Sequence, residues 1–554
     1  MVVLPLFVSV FGMVVRGEMA QQDQTVIVSV GADSDTELTV GRLFAEMLGV
    51  ADLPRKTSLF DLGLDSLSVT VACARLEQVT GVRIRFSQLF RTPTVAQLAA
   101  WIDASLGPSG DPGVSVEPSA DRAVELVAVT PMQAETVPMG IVVEVAWWFD
   151  GEIEVAALES AAGDVHRRHQ ALRARYLSGP DLGLAEVPID PGQAEFHRLG
   201  QVDDEAAAID VLQRTLRQPL RLGEGEVWRC AIVRSGQSGR TLFGFAVDHA
   251  AFDGRSWDIL TAELPVAYDA RVAGTSPQWS GRTASLAEMA ADARHQSKSA
   301  DADAQRRYWR DELRELPACD LPGRQEVPSS AGARWSAAGP AAVSSFRVDN
   351  AQLTVWNDYA RAMGMSPSVG IAAAYVQAII RAGGTRDFAL MVPIGNRAGE
   401  VIDRTITNRV CDIVLRPNSP FRSGSNILTR MRDSYHQAMA ARDVLVDPKE
   451  LGSILSGEDS DGKIRLDRMV NMNYNSLPML NLGDVAGTIV PEPSSETRCA
   501  FFVMLLVVPD PDGLDMNIIA RTDMYEPGLA DRLRRHFLDI ITEGPEQLEL
   551  ETTD

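Results

Sequence analysis

Two residues of this chain stand where their side chains could do chemistry: Ser66, in Leu62-Gly63-Leu64-Asp65-Ser66-Leu67, and His249, in Asp248-His249-Ala250-Ala251-Phe252-Asp253-Gly254. Ser66 lies where a loop containing Gly63 turns into a helix on which Leu67, Val71 and Ala74 share a face. A helix N-terminus offers unpaired backbone N–H groups and the positive end of its dipole, so a phosphodiester on a first-turn serine is stabilised there. Asp65-Ser66 also suits a plain helix N-cap. His249 follows a strand-like run, Leu242 to Val247, and Asp253-Gly254 come next in a tight loop. An imidazole titrates near neutrality and can take a proton from an attacking nucleophile, although a lone histidine at a strand end is more often structural. His166 and His169 have a helical spacing that could suggest a metal, but no third ligand is evident, so no metal site is assigned.

The elements that must position these residues differ on the two sides of a linker. Val40, Leu43, Phe44, Met47 and Leu48 fall on one face of a helix predicted over Glu37–Val50. Thr94 is placed to cap a second helix carrying Val95, Leu98 and Ile102, with Pro93 blocking continuation from upstream. These outline a small helical bundle over residues 31–106. Residues 107–122, rich in Gly, Pro and Ser, cannot pack a core and read as a linker. From there strands and helices alternate: Val142–Phe149 and Thr241–Val247 read as strands, Val155–Tyr176 and Ala302–Leu316 as helices.

Several stretches carry a family resemblance. Ser58 to Leu67, with Leu89-Phe90-Arg91-Thr92-Pro93-Thr94, resembles acyl and peptidyl carrier proteins; Leu64 and Asp65 replace the Gly and His of many peptidyl carriers, a form common among carriers of acyl and aryl groups. Asp248 to Gly254 resembles the HHxxxDG signature of the condensation domains of nonribosomal peptide synthetases, with Asp248 in place of the first His. Val129-Thr130-Pro131-Met132-Gln133, Arg168-His169-Gln170-Ala171-Leu172-Arg173, Tyr308-Trp309 with Leu313 and Leu316-Pro317, Val392 to Arg397 with Asn408 and Leu415-Arg416, and Met472-Asn473-Tyr474-Asn475 match that family in order.

The resemblance implies an all-α four-helix carrier bundle followed by an α/β two-lobed fold like chloramphenicol acetyltransferase, with a tunnel between its lobes. It divides the chain into an extension (1–30), a carrier (31–106), the linker, an N-terminal lobe (123–290), a C-terminal lobe (291–542) and an acidic tail (543–554). It further implies a covalent 4'-phosphopantetheine on Ser66, flanked by Asp65 and Leu67 and installed by a phosphopantetheinyl transferase. His249 becomes the catalytic group, as base or as positioner of the amine and intermediate. Asp253 pairs with Arg397 to shape the loop, Gly254 leaves room for the pantetheine arm, and Asp248 is a structural support. The implied partners are an upstream loading or adenylation protein in trans and a downstream carrier or free acceptor. An epimerisation domain is the enzymatic alternative, lacking its expected glutamate motif. A non-catalytic platform that recruits tailoring enzymes is the other, favoured by Asp248.

Composition agrees with a globular chain: 554 residues, 45% hydrophobic and 23% charged, suit several domains. A net charge of −23 without a basic stripe argues against nucleic acid. Five cysteines without ligand or disulfide spacing fit a reducing cytoplasm. The apolar stretch Val2 to Val15 is shorter than the roughly 20 residues of a spanning helix and lacks a preceding Lys or Arg, so no membrane role is expected. Because Met19 opens a polar segment, the first 18 residues read as a mis-assigned start, with an anchor or a partner-binding helix as alternatives.

Overall fold

The structure is a computed structural model that describes residues 2–3, 34–48, 53–57, 59, 76, 79–80, 82, 94–105, 124–298, 301–317, 319–324, 339–397, 399–420, 426–456, 469–474, 479–490, 498–499, 501–510 and 512–550. The linker 107–122, almost all of the extension 1–30 and the motif containing Asp65, Ser66 and Leu67 lie outside them. No single helix among the described residues is long and apolar enough to cross a membrane.

In the carrier region the expected stripes pack on each other. Helices Asp35–Leu48 and Val95–Ser105 bury Val40, Leu43 and Phe44 against Leu98 and Ile102, and Leu53, Leu59 and Leu76 join that core. The Thr94 hydroxyl accepts from the Gln97 N–H at 3.2 Å, which satisfies one orphan donor of the second helix.

Beyond the linker each lobe is built on a large sheet. In the N-terminal lobe, strand Ile141–Phe149 pairs antiparallel with Thr241–Asp248, followed by Trp228–Ser235 and Glu195–Val202. Both central strands are buried on two faces, so they are apolar almost throughout. Helices Val155–Arg168 and Gly254–Val272 cover one face over a core of Trp147, Phe243, Phe245 and Trp257. Helix Glu205–Leu216 covers the other, burying Ala208, Leu212 and Leu216. The C-terminal lobe sheet runs in the order 410–415, 389–395, 469–474, 503–510, 513–521, 339–349, 498–499.

Four sequence expectations are corrected. The helix predicted over Val155–Tyr176 ends at Arg168, because His169 is extended (φ −108°, ψ 109°) and its ring is held by two other segments. The helix predicted over Ala302–Leu316 ends at Glu312, where the chain turns to bury Leu313 and Leu316. A lobe boundary at 290/291 falls inside helix Leu286–Ser297, and strands Asn481–Leu482 and Val485–Ile489 return to the N-terminal sheet, pairing Gly487 with Phe149. A side chain at Gly487 would meet the Leu480 carbonyl at 2.6 Å, so this return depends on glycine. Finally, residues 545–550 of the expected tail form a helix whose Leu548 is buried in the C-terminal core.

Candidate active site

His249 follows the last residue of strand Thr241–Asp248, and its backbone N–H donates to the Ile141 carbonyl at 2.8 Å. Its Nδ1 lies 2.5 Å from the Phe252 carbonyl oxygen. A carbonyl can only accept, so Nδ1 carries the proton and Nε2 is the basic nitrogen. Burial holds the imidazole below its usual pKa, against the opposing pull of the Phe252 carbonyl and the carboxylates of Asp253 and Asp412. It is therefore neutral at neutral pH.

The loop is closed by Asp253, which caps helix Gly254–Val272 and accepts from the Ser256 N–H at 3.0 Å and the Ser256 hydroxyl at 2.9 Å. The Arg397 guanidinium reaches the same carboxylate at 2.6 Å, with side chains only 4% and 1% exposed. Arg397 also donates to the carbonyls of Ile402, Thr405 and Thr407. The second Asp253 oxygen accepts from the Arg409 N–H at 2.9 Å, and the Asn408 amide donates to the His249 carbonyl at 2.8 Å. Asp253, Gly254, His249 and Arg397 are thus brought together, and a segment of the C-terminal lobe, residues 396–409, holds the histidine loop.

That crossing segment is fastened at further points. His169 accepts the Ile406 N–H on Nδ1 at 3.1 Å and therefore donates from Nε2 to Glu263 at 2.7 Å. His166 receives the Trp228 indole N–H on Nδ1 at 3.0 Å and donates to the Pro191 carbonyl. Both rings use both nitrogens within the protein. Gln133, fully buried, donates towards the Tyr176 hydroxyl, the Ala250 carbonyl and the Thr407 hydroxyl. Gln133, Ser256, Glu263 and Thr407 had no assigned role in the sequence. Ser256 and Gln133 left a local signal, the Asp-x-x-Ser and Thr130-x-x-Gln133 spacings of helix caps.

A model of the Condensation domain family matches residues 130–551, and one for the Phosphopantetheine attachment site matches residues 39–102. The chain belongs to the condensation domain family. It is a carrier–condensation didomain with a phosphopantetheine attachment domain, of the kind found in nonribosomal peptide synthetases. It is 26% identical over 548 residues to the probable non-canonical nonribosomal peptide synthetase CymA of Salinispora arenicola, covering 91% of this chain. It is 25% identical over 417 residues to the dimodular nonribosomal peptide synthase of Bacillus subtilis, covering 71%. The chain spans 7% of the length of the first relative and 16% of the second. Among solved structures, the X-domain from teicoplanin biosynthesis has a TM-score of 0.62 at 18% identity, covering 78% of this chain and 99% of that one. The first condensation domain of the calcium-dependent antibiotic synthetase has a TM-score of 0.58 at 18% identity, covering 79% and 98%. These likenesses establish the two-lobed α/β fold.

Within this condensation domain, Asp248 departs from the family pattern, and its surroundings give the departure a consequence. It is 1% exposed; Oδ1 accepts from the Ala250 N–H at 2.8 Å, while Oδ2 is buried without a donor among the described residues. Burial raises its carboxyl pKa to about 7, with the Ala250 N–H pulling the other way. An unfolded Asp ionises near 3.9, so the stability contributed by this group is fully present below about pH 4 and falls by about 1.4 kcal/mol per pH unit as the pH rises towards 7. Asp248→Asn keeps an oxygen for Ala250 and does not ionise. Its denaturant midpoint should pull ahead of the wild type between pH 4.5 and 7; parallel midpoints would mean that Oδ2 finds a donor.

Proposed function

We propose that this didomain transfers an acyl or peptidyl group from a thioester on its carrier to an amine, forming an amide bond. The observation that carries this reading is the neutral His249 tautomer, with Nδ1–H engaged by Phe252 and Nε2 as the basic nitrogen, on a loop clamped between lobes. Ser66 is the proposed attachment residue. Leu59 and Leu76, which flank it in the sequence, are both fully buried in the carrier core.

When bound, phosphopantetheine supplies a thiol that holds the acyl group as a thioester. An amine attacking the carbonyl forms the C–N bond, the C–S bond breaks, and the nitrogen must lose a proton. His249 Nε2 accepts that proton or holds the amine while it leaves, and its neutral state makes it competent for either task at neutral pH. Asp253 and Arg397 do not touch the reacting atoms; they set the loop. The acceptor is a downstream carrier-bound or free amine.

Intact-protein mass spectrometry tests this on the full chain after acyl-phosphopantetheine is installed. The wild type should gain the modification and then release the acyl mass to an added amine, with hydrolysis tracked separately. Ser66→Ala should take up none of the group; modification of that variant would move the attachment to another residue. Acyl persistence across a broad panel of free and carrier-bound amines would favour a platform that recruits other enzymes, the reading that Asp248 supports.

A further inference from the structure

The late motif Met472-Asn473-Tyr474 has no part in handling the proton, yet its strand, Met469–Tyr474, carries two amides with an unmet demand. Asn471 and Asn473 are each 1% exposed, and neither Oδ1 has a hydrogen-bond donor among the described residues. The Asn473 amide nitrogen reaches only the Met504 sulfur, at 3.3 Å, a weak acceptor. Buried amide oxygens are ordinarily satisfied, so a pair left open on one strand points to a donor that arrives from outside.

The sheet shows where they face. Side chains alternate along a strand, and cross-strand partners share a face. Val470 and Met472 belong to the C-terminal core, and Met472 pairs with Leu505, which pairs with Ile518 and so with Ser344. The Ser344 hydroxyl bonds to Asp531 on helix Leu529–Glu543, so this face is the one beneath that helix. Asn471 and Asn473 face the opposite way. Asn471 pairs with Met391, whose face also carries Pro393 and its partner Asp412. Asp412 stands on strand Val410–Leu415, which follows directly on Asn408 and Arg409. The Asn408 amide bonds the His249 carbonyl at 2.8 Å and the Arg409 N–H bonds Asp253, so this end of the sheet abuts the histidine loop, and the Asp412 carboxylate pulls the His249 pKa upward.

We propose that Asn471 and Asn473 are substrate-binding residues whose Oδ1 atoms accept secondary-amide N–H groups of the carrier-bound substrate, from the pantetheine arm or from a peptidyl cargo. Two residues along a strand span about 6.6 Å, the repeat at which same-side N–H groups recur along an extended peptide. The rail thus matches an extended, amide-bearing chain passing beneath His249. The ligand assignment rests on the acyl-transfer reading above; the open oxygens do not.

The test measures binding without turnover, on the unmodified full-length chain. Calorimetry would use two unreactive probes: acetonyl-pantetheine, with only the amides of the arm, and the methylthiomethyl ketone of acetyl-alanyl-alanine, with only peptide amides. In Asn471→Leu the thermal midpoint should stay level or rise, since its open oxygen has no protein donor to lose, and in Asn473→Leu it should fall by no more than the weak contact with the Met504 sulfur contributes. Affinity for one probe or both should fall roughly tenfold per substitution, the size of one lost hydrogen bond. Loss confined to the first probe assigns the rail to the arm, and loss confined to the second assigns it to the cargo. Unchanged affinity for both, or failure of the wild type to bind either, overturns the proposal. A lowered midpoint with unchanged affinity also overturns it, by making the amides internal supports. Because no acyl transfer is read, the outcome is independent of the assay that judges His249.

Discussion

His249→Ala should lower acyl transfer by about 10²- to 10⁴-fold, the usual contribution of a positioned general base, while leaving the carrier able to receive its prosthetic group. The ring also donates to the Phe252 carbonyl at 2.5 Å, so its removal leaves that oxygen without this donor, a loss of about 1 kcal/mol. A midpoint change of that size with a far larger loss of transfer separates chemistry from folding. The pH profile adds a second readout. Burial lowers the folded imidazole's pKa, so transfer by the wild type should persist below pH 6.5, the ordinary histidine value, and fail only when Nε2 is protonated at lower pH. An acid limb centred at or above the ordinary value would contradict the desolvated, neutral imidazole. Single-turnover rates from pH 5 to 8 on the preloaded protein give the comparison.

Arg397→Met should be the most destabilising of the substitutions considered, at about 3–5 kcal/mol, because it strands a buried carboxylate. Asp253 is 1% exposed and would keep the Ser256 and Arg409 donors, but not its only direct ion-pair partner among the described residues. Arg397 also gathers the carbonyls of Ile402, Thr405 and Thr407, so its loss loosens the crossing segment and leaves it held to the loop by Asn408 and Arg409. Asp253→Asn removes the opposite charge. The double variant Asp253→Asn/Arg397→Met should therefore be more stable than the sum of the two single losses, as a double-mutant cycle of denaturant midpoints would show. Additive losses would mean that the pair does not couple. Since the clamp joins the lobes, transfer should fall in both single variants even where the folded population is restored by lower temperature.

Much of the chain's local organisation could be read before any contact was known. The carrier stripe Val40, Leu43 and Phe44, the Thr94 cap and the strands before Phe149 and His249 all follow from periodicity and capping, which depend on neighbours a few residues apart. The helix predicted through Tyr176 shows where such reading stops. Nothing within reach of the pattern ends it at Arg168; the extended His169 answers to Glu263 and Ile406, which are 94 and 237 positions away. The return of Val485–Ile489 to the first sheet escaped for the same reason, since strand pairing across lobes leaves no period in either strand.

The sequence by itself determined the modules, their order, the residue types at Ser66 and His249 and the departure at Asp248, because motifs and amphipathic stripes are written in short spacings. Only the tertiary structure decided which nitrogen of His249 is basic, how a carboxylate at 248 is left protonated towards neutrality, and which segment clamps the loop. Those properties come from desolvation and from partners such as Gln133 and Thr407, which meet although 274 positions separate them. A charge or a tautomer belongs to its surroundings, and the surroundings of this site are assembled from both lobes.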